Sequence, residues 1–232
     1  MRMNWNETTI KYFVDASEYT GFHKKLAEFL KPYIKYNESF CDMGCGLGLI
    51  DIYLSKDLDY ITCVDINENV INHLEKVIKE KEISNIKCML KDYKVIDKKF
   101  DTILISFFGY EDIEYFSRQC NRLIAVVNDR CKTHIPIAKT GDDEFIQYSS
   151  KHLKELLDRK KFNYELKLLS MEFGQTFFDD NEIVQYAKAY DNGEEYDTIY
   201  SHIMKNIIKG DSISYYLPYE KNISIFIIDF NK

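Results

Sequence analysis

The chain has 232 residues, a formal net charge of −7, 45% hydrophobic residues and 30% charged ones. That length makes one elaborated domain the natural expectation and leaves ample chain to bury a core. The acidic balance disfavours long nucleic acid as a partner, because proteins that track phosphate backbones draw most of that affinity from a basic face.

No apolar run approaches the ~20 residues that a membrane span needs, and residues 1–7 lack the apolar core of a secretion signal. The six cysteines stand at 41, 45, 63, 88, 120 and 131, with no C-x-x-C pair. They read as small hydrophobes in a reducing, cytoplasmic protein, with no disulfide framework and no metal centre. Two short basic patches, Arg159-Lys160-Lys161 and Arg130-Cys131-Lys132-Thr133-His134, each follow an acid. They read as a helix C-terminus and a solvated loop.

The first ~35 residues read as helical, with Phe22, Leu26, Phe29 and Leu30 on one face and Pro32 closing the segment. From residue 38 to 128, apolar strands alternate with amphipathic helices, the pattern of a parallel sheet covered on both faces. The first strand, around Phe40-Cys41-Asp42-Met43, runs into Gly44-Cys45-Gly46-Leu47-Gly48 and then into the helical run Leu49 to Leu54. A glycine turn between a strand and a helix lets backbone approach a nucleotide-like ligand, and free helix N–H groups attract negative charge. The dinucleotide fingerprint G-x-G-x-x-G needs a third glycine at position 49, where Leu49 stands, so a nicotinamide cofactor is a poor fit.

The second strand, Tyr60 to Ile66, carries Asp65, which stands 17 positions after Gly48, near the ~20-residue distance of a ribose-binding acid. Asn67 is placed to cap the following helix, whose inward face is Ile71, Leu74, Val77 and Ile78. Ile86 to Tyr93 forms a third strand with Asp92 near its end, and Phe100 to Phe108 forms the fourth. Strand five is Leu123 to Val127. A helix over 143–160 and a strand over 164–173 come next, and the last strand covers 223–230. Between these last two strands, residues 174–222 insert two helices, near 181–190 and 195–209, and a strand-like run over 213–217. A long insertion beside a ligand cleft is a candidate lid or specificity element.

Asp42-Met43-Gly44-Cys45-Gly46-Leu47-Gly48, followed in order by Asp65, Asp92 and the fourth strand, resembles the class I S-adenosylmethionine-dependent methyltransferases. The resemblance covers about residues 38–173 and returns at 223–230. It implies a doubly wound, mostly parallel seven-stranded α/β sheet of Rossmann-like form, with an antiparallel last strand. The chain is then one domain: an N-terminal helical cap over 1–36, a cofactor-binding core over 37–173 and 223–232, and the insertion 174–222.

The resemblance also implies roles. S-adenosylmethionine is the expected cofactor, with the amides of Gly46 to Gly48 near its carboxylate, Asp42 near its ammonium and Asp65 on the ribose hydroxyls. Asp92 resembles the acid that accepts from the adenine amino group, with Ile66 and Tyr93 flanking the ring. Gly44, Cys45 and Ser106 complete the expected cofactor contacts. Methyl transfer draws on proximity and needs a base only where the acceptor must lose a proton. The fourth strand ends Ser106-Phe107-Phe108-Gly109-Tyr110, not in the Asn/Asp-Pro-Pro-aromatic motif of enzymes that methylate nucleobase or glutamine nitrogens. Phe107, Phe108 and Tyr110 suggest an aromatic-lined acceptor pocket. Tyr12, Tyr19 and His23 of the N-terminal helices are further pocket candidates, and His23 and His134 are candidate bases. The aromatics Phe173, Phe177, Phe178, Tyr186, Tyr190, Tyr196 and Tyr200 could wall the acceptor site or form helical core.

The expected activity is methyl transfer to a small molecule. An RNA or protein acceptor, or a non-catalytic S-adenosylmethionine-binding module, are the alternatives.

Overall fold

A computed structural model describes residues 5–129, 149–191, 196–209 and 214–230. Asn6 opens the first helix, α1 (Glu7–Thr20), through a reciprocal cap: its Oδ1 accepts the Thr9 N–H at 3.0 Å, and Thr9 Oγ1 accepts the Asn6 N–H at 3.0 Å. Gly21, left-handed, separates α1 from α2 (Phe22–Leu30). The expected inward face of α2 is found, with Phe22, Leu26 and Leu30 buried.

The central sheet contains β1 (Phe40–Met43), β2 (Ile61–Asp65), β3 (Ile86–Leu90), β4 (Phe100–Ser106), β5 (Cys120–Asn128), β6 (Tyr164–Glu172) and β10 (Glu220–Asp229). Their spatial order is β3-β2-β1-β4-β5-β10-β6, with β10 antiparallel to both neighbours and the strands from β3 to β5 parallel. This is the doubly wound, seven-stranded α/β fold expected from the sequence. Both faces are covered. On one, α2, α3 (Leu49–Leu54) and α4 (Glu68–Glu80) pack against alternate residues such as Ile223, Ile225 and Leu104. On the other, α5 (Ile113–Gln119) and α6 (Ser150–Lys160) cover Ile103, Ala125 and Phe226. Burial on both faces explains why these strands read as unbroken apolar runs.

Asp101, at the start of β4, accepts the Ser39 N–H at 2.9 Å and the Ser39 hydroxyl at 2.7 Å, which ties the entry of β1 to β4. Its role is at the sheet's amino edge, at the opposite end of β1 from the glycine loop.

The insertion contains more strand than expected. Beside α7 (Asp180–Ala189) and α8 (Tyr196–Asn206), it forms a small antiparallel sheet in the order β7 (Gln175–Phe177), β9 (Tyr215–Leu217), β8 (Ile208–Lys209). It also has a core of its own. Phe177, Ile183, Tyr186, Ile199, Ile203 and Leu217 pack together with Tyr12 of α1. Among the described residues, no helix is long and apolar enough to cross a membrane.

Candidate functional site

The carboxyl ends of β1, β2 and β4 converge on the glycine loop. The loop leaves β1 with the amides of Gly44 and Cys45 donating to the Val64 carbonyl at 2.7 and 3.1 Å. Gly44 and Gly46 both hold positive φ, 75° and 54°, where a side chain is strained. They differ in surroundings. A Cβ on Gly44 would stand 2.5 Å from the Phe108 ring, whereas one on Gly46 would meet nothing within 4 Å. Phe108 therefore packs over the start of the loop, and the loop's middle faces open space.

Asp65 is bound into this loop. Its Oδ2 accepts the Gly46 N–H at 2.9 Å and its Oδ1 accepts the Asn67 N–H at 2.8 Å. The Gly48 N–H donates to the Cys45 carbonyl at 3.0 Å. Two of the three amides expected to meet a ligand carboxylate are thus engaged within the fold, and Asp65 organises the loop. Each Asp65 oxygen retains a second lone pair for a ligand donor.

Asp42 lies in β1, buried, with Oδ1 lacking a hydrogen-bond partner. Asp51 of α3 is fully buried beside it, and neither of its oxygens finds a donor. Two buried carboxyls that face each other cannot both ionise. Burial, then the neighbouring Asp51, raises Asp42 well above the usual carboxylate range, and burial pushes Asp51 up to about 6. Of the two, Asp42 therefore keeps its proton to the higher pH. Sequence reasoning passed over Asp51; an acid inside the apolar run Leu49 to Leu54 was the available signal. At the end of β4, the Ser106 hydroxyl is likewise buried and unpartnered.

The remaining cofactor candidates sit nearby in different states. Ile66 is an exposed apolar side chain immediately after β2. Asp92 is exposed, and its Oδ1 caps the following turn by accepting the Lys94 N–H at 2.9 Å. Tyr93 is more constrained than a free ring wall. Its hydroxyl bonds Asp112, its carbonyl accepts from the Tyr115 hydroxyl at 2.6 Å, and its ring stacks on Phe116. One edge of it also meets Phe108 at 5.1 Å between centroids. The Cys45 side chain packs into the core beneath the loop.

Several acceptor-pocket candidates are placed elsewhere. Tyr12 is buried against Phe177 and Tyr186, and its hydroxyl donates to the Glu182 carbonyl at 3.0 Å, so it docks the insertion onto α1. Tyr19 lies on Tyr216, ring centroids 5.0 Å apart. Tyr110 is core, packed with Ile113 and Phe116 under the second face. The insertion's aromatics follow the same logic. Phe177 and Tyr186 fill its own core, Tyr190 packs on Tyr186, Tyr196 stacks on Tyr200, and Phe178 is exposed. Helical spacing of aromatics here signals packing. His134, its basic patch and the start of the helix expected at 143 lie outside the described residues.

Phe107 and Phe173 both lie beside the Lys221 side chain at the carboxyl edge. Phe107 follows β4 with φ +59°, a sparsely populated conformation for a bulky residue and one that concentrates at functional sites. Above its ring stands the Lys221 ammonium, 3.8 Å from the centroid, with Phe173 at 5.4 Å and Phe22 at 5.6 Å. His23 borders this box through edge contacts to Phe22 and Phe173. Its Nδ1 lies 2.6 Å from the Ser17 hydroxyl. Burial, with Lys221 second, lowers its pKa to about 3, so His23 stays neutral and is too weak a base to take an acceptor proton at neutral pH. Nothing in the sequence distinguishes Lys221. It reaches the site through the register of β10, where Ile223 pairs with Asn128 at the end of β5.

Residues 40–127 match a family model described as a methyltransferase domain. Ribosomal RNA small subunit methyltransferase A of Mesomycoplasma hyopneumoniae is 30% identical over 78 residues, 33% of this chain and 29% of that protein. The tRNA (guanine(37)-N(1))-methyltransferase Trm5b of Pyrococcus abyssi is 32% identical over 76 residues, 32% of this chain and 23% of that protein. The chain aligns with less than a third of the length of each of these curated relatives. Among solved structures, magnesium protoporphyrin IX methyltransferase from Synechocystis PCC 6803 is similar with a TM-score of 0.53 at 13% identity, covering 97% of this chain and 86% of that one. That likeness is one of fold.

Proposed function

We propose that this chain, whose residues 40–127 match a methyltransferase-domain model, is a class I S-adenosylmethionine-dependent methyltransferase acting on a small molecule. The observation that carries the reading is the set of groups left open at the carboxyl edge. Asp42 Oδ1 and Ser106 Oγ are buried without partners, Asp65 retains lone pairs, and Gly46 faces open space. Open α/β sheets bind ligands at this edge, and unsatisfied buried polar atoms call for a partner.

These residues fit the cofactor's parts. Asp65, fixed by two amides, would accept from the ribose hydroxyls, and Ile66 would lie against the adenine. Asp92, with one oxygen in a turn, keeps its other oxygen for the adenine amino group. Asp42 would meet the ammonium and give up its proton as that charge arrives. The glycine loop would supply a close, side-chain-free surface. S-adenosylmethionine, when bound, supplies a methyl group on an already activated sulfonium. The chain's contribution is then placement of the acceptor in line, with Phe107 at the end of β4 as the pocket wall.

The small-molecule reading rests on the aromatic lining at Phe107 and on the net charge of −7. The cap over 1–36, the core and the insertion would form one domain, and the free thiols among the described cysteines suit a reducing compartment such as the cytoplasm. The second reading, an RNA acceptor, is favoured by the names of the two relatives above. Incubating the full chain with methyl-labelled S-adenosylmethionine, and separately with a small-molecule acceptor panel and with rRNA and tRNA, tests both. Label in a small acceptor supports the proposal. Label in RNA alone replaces it with the second reading, and label in neither contradicts methyl transfer to the classes named.

A further inference from the structure

Among the described residues no carboxylate pairs with Lys221; what surrounds the ammonium is the rings of Phe107, Phe22 and Phe173. Cation–π contacts offset part of the cost of removing an ammonium from water, but among the described residues no counter-charge completes the site. Lys221 is half-buried, and its nitrogen is not among the fully sealed, unpartnered polar atoms. Burial lowers its pKa to about 8, in keeping with a charge held short of solvent.

Its position matters as much as its isolation. Lys221 pairs across to Met171 of β6 and lies two residues before Ile223, the partner of Asn128 at the carboxyl end of β5. It therefore projects from the edge where the glycine loop opens. Consecutive residues link the two places: the Phe108 ring covers Gly44, and the Phe107 ring lies under the ammonium. The positive φ at Phe107 fixes that arrangement. Whatever sits beside the loop's open face and on Phe107 comes within reach of the charge.

We infer that Lys221 is the specificity residue of the acceptor pocket, taking up an anionic oxygen, carboxylate or phenolate, on an apolar or aromatic substrate that packs against Phe107. Phe22 and Phe173, both buried, close the back of the box and keep water from competing for the ammonium. This deepens the methyltransferase reading by naming the substrate class, and rests on it for what happens after binding.

The test uses 4-fluorobenzoate and its neutral counterpart 4-fluorobenzamide, titrated into the full chain by fluorine NMR with and without S-adenosylhomocysteine. The expected result is at least fivefold tighter binding of the benzoate, a preference lost in Lys221→Met and retained in Lys221→Arg. Equal affinity for the two probes, or a preference that survives in Lys221→Met, overturns the proposal. Should Lys221→Met fail to fold, the wild-type protein still decides. The benzoate preference should decline as pH rises beyond about 8, where the ammonium loses its proton. His23 of α2 stays neutral through that range, and Phe22, Phe107 and Phe173 carry no charge. Glu172 of β6 is engaged by Tyr216, Glu220 accepts from Ser170, and Tyr219 is raised by burial. A preference unchanged from pH 7 to 10 therefore counts against Lys221. Absence of S-adenosylhomocysteine binding would instead overturn the cofactor reading, because the probe titrations without it stand separately.

Discussion

Asp65 Oδ2 accepts the Gly46 N–H at 2.9 Å, so the acid that ends β2 and the loop that leaves β1 are one unit. The same carboxylate holds the Asn67 N–H with its other oxygen, at the entrance to α4. A residue in this position would act on a bound ligand twice, by its own lone pairs and by fixing the glycine loop.

Asp65→Ala should therefore weaken S-adenosylhomocysteine binding by at least about 1.5–3 kcal/mol, the scale of hydrogen bonds to a charged group. It should also lower the unfolding midpoint, because the two amides lose their acceptor. Calorimetric titration and thermal unfolding read the two effects. A folded variant with unchanged affinity would show that the carboxylate is structural alone.

The two loop glycines should respond differently to alanine. Gly44→Ala drives a methyl into the Phe108 ring at 2.5 Å, and should cost the fold about 2 kcal/mol or more through strain and overpacking. Gly46→Ala meets no atom within 4 Å, so its stability cost should stay near the ~1 kcal/mol of the left-handed backbone. Its main effect should be on ligand affinity, since the added methyl enters the loop's open side. Denaturant unfolding of both variants, with S-adenosylhomocysteine titration of Gly46→Ala, checks the contrast.

Asp51 makes stability depend on acidity. The native carboxyl holds its proton to about pH 6 and the unfolded one to 3.8. The native state thus binds more protons between those values, and stability falls as pH rises through them. Asp42, raised further, extends that fall above pH 6. Asp51→Asn should flatten the profile and raise stability at pH 7.5 by on the order of 1–2 kcal/mol. Urea unfolding at pH 5 and 7.5 for both proteins measures it.

Lys221 should cost the fold stability at neutral pH. Its native pKa, about 8, lies below the reference 10.5, so the unfolded state binds more protons between those values and stability rises with pH across that window. Cysteines and tyrosines with raised pKa oppose this trend, so the difference between wild type and Lys221→Met is the quantity to follow. Lys221→Met should be more stable by about 1–3 kcal/mol at pH 7, with the gap closing as pH approaches 10.5. A less stable Lys221→Met at pH 7 would mean that the ring contacts outweigh the desolvation of the ammonium.

The parts legible in the sequence were those written in local pattern. Phe40 to Met43 and Ile61 to Asp65 are apolar runs ended by glycine or an acid, Phe100 to Ser106 is a third apolar run, and all three are neighbouring strands of the sheet. Asn67 caps α4, with its Oδ1 accepting the Asn69 N–H at 3.0 Å. What local pattern could not show was which aromatic faced which partner. Tyr12 and Tyr110 carry the same chemistry as a pocket wall but fill cores; Tyr12 bonds Glu182, 170 residues away, which local pattern does not show. Lys221 depends on the antiparallel register of β10, which no local pattern encodes; Asp51 is marked in the sequence only as an acid inside an apolar helical run, and its place beside Asp42 emerges with the fold. The small strands β7 and β8, of three and two residues, are too short for periodicity to mark.

The central claim is that the carboxyl edge binds S-adenosylmethionine. Calorimetric titration of the full chain with S-adenosylmethionine, S-adenosylhomocysteine and NAD is its most direct test. Saturable binding of both sulfur ligands, weakened in Asp65→Ala, with NAD silent, is the expected result. Silence from both sulfur ligands in folded, ligand-free protein would contradict the account and leave a methyltransferase fold put to another use.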